Sequence, residues 1–151
     1  MTDASSATTG DPIDETTLVL TQEIGAPPEV VFDFFVDPEK MLRWMGTEAD
    51  IEPRPGGVFW LNVNGSDKAS GSYLEVDRPH RVVFTWGWEE SEHVPPGSST
   101  VTITLTGDRD STMLELRHDG LPGGSGDEHR DGWTHFVAIL VSEAEMAVAG
   151  D

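Results

Sequence analysis

Trp133-Thr134-His135-Phe136-Val137-Ala138-Ile139-Leu140-Val141-Ser142-Glu143-Ala144-Glu145-Met146-Ala147 is the stretch that decides how this chain folds. Its apolar residues Trp133, Phe136, Val137, Leu140, Ala144 and Ala147 recur at i, i+3, i+4, i+7, i+11 and i+14. That spacing lays one continuous stripe along a helix. It predicts a helix from about Asp127 to Ala149. Upstream, from Gly57 to Asp119, the apolar residues alternate with period two, as strands require. One long amphipathic helix must then cover the apolar face of a curved antiparallel sheet. A single cylinder on a curved sheet leaves room for a hollow, and hollows bind ligands.

Working outward, Leu18 to Ile24 reads as a first strand, with Leu18, Leu20, Gln22 and Ile24 on one face. Ala26-Pro27-Pro28 ends it and starts a helix whose apolar face is Val30, Val31, Phe34 and Phe35. Asp37 caps a second helix with Pro38 in its first turn. Met41, Leu42, Trp44 and Met45 form its apolar surface, and Gly46 ends it. Six strands are expected next: Ala49–Glu52, Val58–Asn62, Ala69–Val76, Arg81–Trp88, one marked by Val101, Ile103 and Leu105, and Thr112–His118. Asn64-Gly65 is a hairpin signal. Gly120 to Gly126 is a loop leading to the closing helix. The class is α+β, in the order β-α-α-β(about 6)-α. Residues 1–17 read as a disordered acidic tail, and residues 18–149 as a single domain.

The balance of nine basic against 28 acidic residues, a formal net charge of -19, excludes whole classes of partner. Nucleic acid and anionic membranes need clustered Lys and Arg, and the chain has only Lys40 and Lys68 as lysines. The charge is spread along the chain. It reads as a solubilising surface, with salt adaptation or a basic partner as sharper alternatives. There is no cysteine, hence no disulfide and no thiolate chemistry. The longest apolar run, Phe136 to Val141, is too short to span a bilayer. The segment Met1 to Thr17 has no apolar h-region, so a cytoplasmic protein is the expectation.

Four segments resemble the family of activator of heat-shock-protein-90 ATPase homologue-like proteins (AHSA-type), in the SRPBCC, or START-like, superfamily. Ile24-Gly25-Ala26-Pro27-Pro28-Glu29-Val30-Val31-Phe32 is similar to its strand-to-helix opening. Asp37-Pro38-Glu39-Lys40-Met41-Leu42-Arg43-Trp44 is similar to its second helix. Gly71-Ser72-Tyr73-Leu74-Glu75-Val76 with Pro79-His80-Arg81-Val82-Val83-Phe84-Thr85-Trp86 resembles its central strand pair. His129-Arg130-Asp131-Gly132-Trp133 resembles the start of its closing helix. The likeness runs over roughly residues 18 to 148. It implies a helix-grip (START-like, Bet v-like) fold with a cavity between helix and sheet for apolar or aromatic small molecules. It does not imply chaperone activation, because many members are stand-alone domains.

Strand alternation puts His118 on the face of Leu114 and Leu116. There it either contacts a ligand or is satisfied by a backbone carbonyl near the strand end. Gln22 has the same status on the first strand. Trp44, Trp60, Tyr73, Phe84, Trp86, Trp133 and Val137 complete the candidate cavity lining, with plain core packing as the alternative for each aromatic. No metal is expected, since no two of His118, His129 and His135 are four apart. Neither Gly56-Gly57 nor Gly120 to Gly126 fits a phosphate loop. Ser125 lacks a nucleophile elbow, and no cofactor is indicated. Three functions stay open. The first is a domain binding an apolar, aromatic or lipid-like molecule. The second is a protein-interaction or chaperone-associated module, as a homodimer or with another protein. The third is a cyclase- or hydratase-type enzyme with His118, Tyr73 or Glu75 as acid or base.

Overall fold

The computed structural model describes residues 17–121 and 126–149. The tail at residues 1–16 and most of the glycine-rich loop lie outside the described residues. Thr17 is already part of the first strand, β1 (Thr17–Ile24). Helix α1 (Pro28–Val36) follows, with proline at its first position, where a missing N–H costs nothing. It buries Val31, Phe32, Phe34 and Phe35.

Helix α2 (Pro38–Met41) is a single turn, shorter than the expected run to Gly46. Asp37 caps it by accepting from the backbone N–H groups of Glu39 and Lys40 at 2.9 and 3.4 Å. Beyond Met41 the chain turns, because Trp44 and Met45 are both drawn inward. The Trp44 indole N–H donates to the Phe34 carbonyl at 2.9 Å, which ties the turn to α1.

Six strands then form a meander: β2 (Glu48–Ile51), β3 (Val58–Asn62), β4 (Lys68–Asp77), β5 (Arg81–Trp86), β6 (Ser99–Gly107) and β7 (Thr112–Asp119). Strand β1 pairs antiparallel with β7, giving one seven-stranded sheet in the order β1-β7-β6-β5-β4-β3-β2. Strand β5 stops two residues before the expected Trp88. At Gly87 the backbone of the next loop passes so close that a Cβ would stand 1.8 Å from the Pro95 carbonyl oxygen. Trp88 therefore leaves the ladder, rejoining it only through an isolated bridge to Ala69.

Helix α3 (Gly126–Ala149) packs in the concave face. Its stripe is the expected one. Trp133, Val137, Leu140 and Ala144 are buried, and Phe136 and Ala147 half-buried. Near its C-terminal end, the Glu145 carboxylate accepts from Gly25 N–H at 2.8 Å. This is the helix-grip arrangement. No helix among the described residues is long and apolar enough to cross a membrane.

Candidate functional site

Most of the space under α3 is filled. Phe59 and Phe84, neighbours on the inner face, stack at 4.2 Å with 12° between planes. Tyr73 stands edge-on to Phe59 at 5.6 Å. Its hydroxyl donates to the Phe35 carbonyl at 3.0 Å. Burial holds that phenol protonated far above its ordinary range. Trp44 packs edge-on to Phe35 at 5.2 Å. Tyr73, Phe84 and Trp44, like Val137, are buried core residues, and none of them lines the cavity at the other end of the helix.

The packing opens at the other end, where the first turns of α3 cross the end of β5. A cavity of about 190 Å³ lies there. Trp86 and Trp88 from the end of β5 form one side, and Gly132, Trp133 and Phe136 from α3 another. Met45 and Val63 close the base, and Glu128 and His129 stand on its border. Trp86 and Trp88 meet at 84° with centroids 5.2 Å apart, and Trp86 and Trp133 at 50° and 5.1 Å. The walls thus include three indoles, with Trp86 inclined to both of the others.

A buried hydrogen-bond chain fixes the Trp133 wall and runs to the backbone of Trp86. The Trp133 indole N–H donates to His118 Nδ1 at 3.0 Å. An indole nitrogen can only donate, so His118 carries its proton on Nε2. That N–H reaches Ser99 Oγ at 2.8 Å, and the Ser99 hydroxyl donates to the Trp86 carbonyl at 2.8 Å. Every donor finds an acceptor. A second proton on His118 would face the Trp133 N–H. Burial, and then the nearby His129, push the His118 pKa down from 6.5 to about 3. His118 therefore works as a neutral strut behind Trp133. It is satisfied by two side chains where a backbone carbonyl was expected. His129 repeats the device at the border, accepting the Trp88 indole N–H on Nε2 at 3.1 Å. Trp86 is the exception. It is 3% exposed, and its Nε1 has no partner among the described residues. An unpaired buried donor costs about 1–3 kcal/mol.

Gly132 is the least expected wall. Glycine inside a helix costs about 1 kcal/mol relative to alanine. Nothing stands within 4 Å of the position its Cβ would take. The residue lines the cavity and adds no side chain to it.

Two expected lining residues are elsewhere. Trp60 alternates with the buried Phe59 and Leu61, so it faces outward, its indole donating to the Glu89 carboxylate at 2.8 Å. Gln22 lies opposite Leu114 in the register, four residues from the Leu18–His118 pair. Its amide folds back onto the Glu23 carbonyl at 2.8 Å. The acid–base candidates do not converge either, since Glu75 pairs with Arg81 at 3.1 Å on the strand surface. Of the expected set, Trp86 and Trp133 line the cavity, with His118 behind them. Met45, Val63, Trp88, Glu128, His129, Gly132 and Phe136 were not anticipated as lining. A glycine at the edge of a helical stripe, beside Phe136, was the one signal available. A second, larger groove of about 430 Å³ lies beyond Trp88, lined by mostly exposed residues including Asp67, Lys68, Glu89 and Glu90.

Solved structures share this architecture. An AHSA1-like protein from Rhizobium etli is 46% identical, covers 85% of this chain and 82% of its own, and superposes with a TM-score of 0.65. An HSP90 activator from Plasmodium falciparum is 28% identical over 82% of this chain and 91% of its own, with a TM-score of 0.69. A protein from Mesorhizobium loti, 22% identical over 86% of this chain and 97% of its own, shares the fold with a TM-score of 0.77. No curated protein matches the chain. The family model for Activator of Hsp90 ATPase homolog 1-like protein matches residues 25–145, and with it the chain belongs to that family, within the SRPBCC superfamily.

Proposed function

We propose that this domain binds a small, largely apolar molecule in the cavity between the start of α3 and the end of β5. Gly132 carries the reading: the helix sacrifices about 1 kcal/mol of propensity at a residue that lines the cavity and has open space where its Cβ would stand. Trp86, Trp88, Trp133 and Phe136 make the walls aromatic, and the strut through His118 holds the Trp133 ring in place. At about 190 Å³ the space is smaller than the roughly 300–1,000 Å³ of drug-sized sites. It suits one aromatic ring or one compact branched group, with any remainder of the molecule outside. A long acyl chain is disfavoured by the stacked, buried rings of Phe59 and Phe84, which fill the core beside Trp86.

Titration of tryptophan fluorescence with single-ring and two-ring aromatics tests this, beside native mass spectrometry of protein purified from its own host. Saturable quenching at submillimolar concentration, or a retained small molecule, is expected. Unchanged emission up to about 10 mM across the panel, with no retained mass, overturns it. A chaperone-associated module is the second reading, supported by the likeness to the Plasmodium falciparum HSP90 activator. Co-sedimentation with an HSP90 from the same host distinguishes the two.

A further inference from the structure

The chemistry of the cavity narrows its ligand. Three indoles at inclined angles and one phenyl ring bound a space of about 190 Å³, and the thioether residue Met45 lies at its base. Ring faces carry negative electrostatic potential and attract cations that have shed water. Glu128 stands at the border, and no Lys or Arg lines the space among the described residues. His129 stands there as the acceptor of the Trp88 indole N–H at 3.1 Å. The whole chain, at a formal charge of -19, draws cations toward it. A neutral hydrocarbon gains from the walls alone, whereas a cation with apolar substituents gains from the walls, the carboxylate and the surrounding field. A bare ammonium is too strongly hydrated to leave water for such walls.

Resting on the cavity reading above, we propose that the group entering the pocket is an alkylated ammonium, such as a trimethylammonium head. The unpaired Trp86 N–H does not oppose it, because that bond lies in the ring plane and cation attraction acts on the ring face. The head inserts among the indoles, and the remainder of the ligand leaves past Glu128.

The test uses a matched pair of probes: choline, and its uncharged isostere with carbon in place of the quaternary nitrogen. Both are titrated into the full-length protein by calorimetry and tryptophan fluorescence. The expected result is choline binding about tenfold more tightly than the isostere, with the preference retained in molar sodium chloride. Glu128→Gln, at an exposed position, is expected to weaken choline by about two- to threefold and leave the isostere unchanged. Trp88→Leu is expected to weaken choline by about fivefold or more. Trp88→Phe keeps a ring face and is expected to lose less, which serves if the leucine variant unfolds. Equal affinities for the two probes overturn the cation and leave the apolar cavity standing. So does binding of neutral aromatics without binding of choline. Choline binding that vanishes in molar salt and ignores Trp88 is adsorption to the acidic surface and also overturns the proposal. Failure of choline, isostere and aromatics alike removes the cavity reading and this one together.

Discussion

The two ends of the space beneath α3 are built from the same kind of residue and finish differently. At one end Phe59, Phe84 and Tyr73 stack and interlock, and the Tyr73 hydroxyl finds the Phe35 carbonyl. At the other, Trp86, Trp88 and Trp133 stand at wide angles around a void, with one indole N–H unpaired. Aromatic content alone therefore does not decide whether a core is full. What decides it is whether each neighbour brings volume into the gap. Phe59 brings a whole ring against Phe84, and Gly132 brings nothing against Trp133. The closed end stabilises the fold, and the open end leaves space at some expense in stability.

Truncation should separate the ends most sharply. Phe84→Ala is expected to cost about 3–5 kcal/mol in denaturant unfolding, the usual range for a fully buried ring. Trp88→Ala, at a half-buried ring bordering a void, should cost less than about 2 kcal/mol. Equal losses would erase the contrast between the ends.

The strut gives the open end a pH signature. His118 is held neutral in the folded protein, its pKa near 3 against 6.5 for a free imidazole. Between those values the unfolded chain takes up a proton that the folded chain refuses. Stability is therefore complete above pH 6.5 and falls as the pH drops. From pH 7 to about pH 5 this group should remove about 2 kcal/mol. Unfolding curves for the wild type and His118→Gln should diverge over that interval, with the wild type having the steeper dependence. Parallel curves would mean that His118 is not buried as a neutral ring.

Gly132→Ala probes the void more gently. It should raise stability by about 0.5–1 kcal/mol, since helix propensity improves and the new methyl meets open space. A loss of stability would mean that the helix is tighter there than the structure indicates. Smallest is the effect of salt, which acts on both ends alike. Lys40, Arg54, Arg78, Arg81 and Arg117 each sit beside a carboxylate, leaving a large acidic excess. Molar sodium chloride should raise the thermal midpoint by a few degrees, about 1 kcal/mol or less. A flat response would show that the remaining charges are too widely spaced to repel.

The sequence speaks clearly about the fold and only partly about the site. The stripe from Trp133 to Ala147 lies where its spacing puts it, and the strands follow alternation because one face of each meets α3. Periodicity is a local property, and it survives folding wherever a single interface dominates. Trp60 shows the limit. It belongs to an apolar run, Val58 to Leu61, and only the pleat decides which of its members turn outward. Trp88 shows another, since its place depends on Gly87 letting the following loop fold back against it. His118 was legible as buried, but its partners Ser99 and Trp133 lie 19 and 15 residues away and meet it only in the folded sheet. A void has no residue of its own, so nothing in the chain spells it except the absence of a side chain at Gly132.

That absence supplies the most direct test. Gly132→Leu places four carbons in the space that alanine only begins to enter, at the wall where nothing lies within 4 Å. The measurement is the affinity of this variant, beside the wild type, for whichever single-ring aromatic or ammonium probe binds the wild type best. A site between Trp86, Trp88 and Trp133 predicts a loss of at least about tenfold, with unfolding free energy unchanged or higher. Undiminished affinity in a stably folded Gly132→Leu protein would contradict it and place the ligand elsewhere.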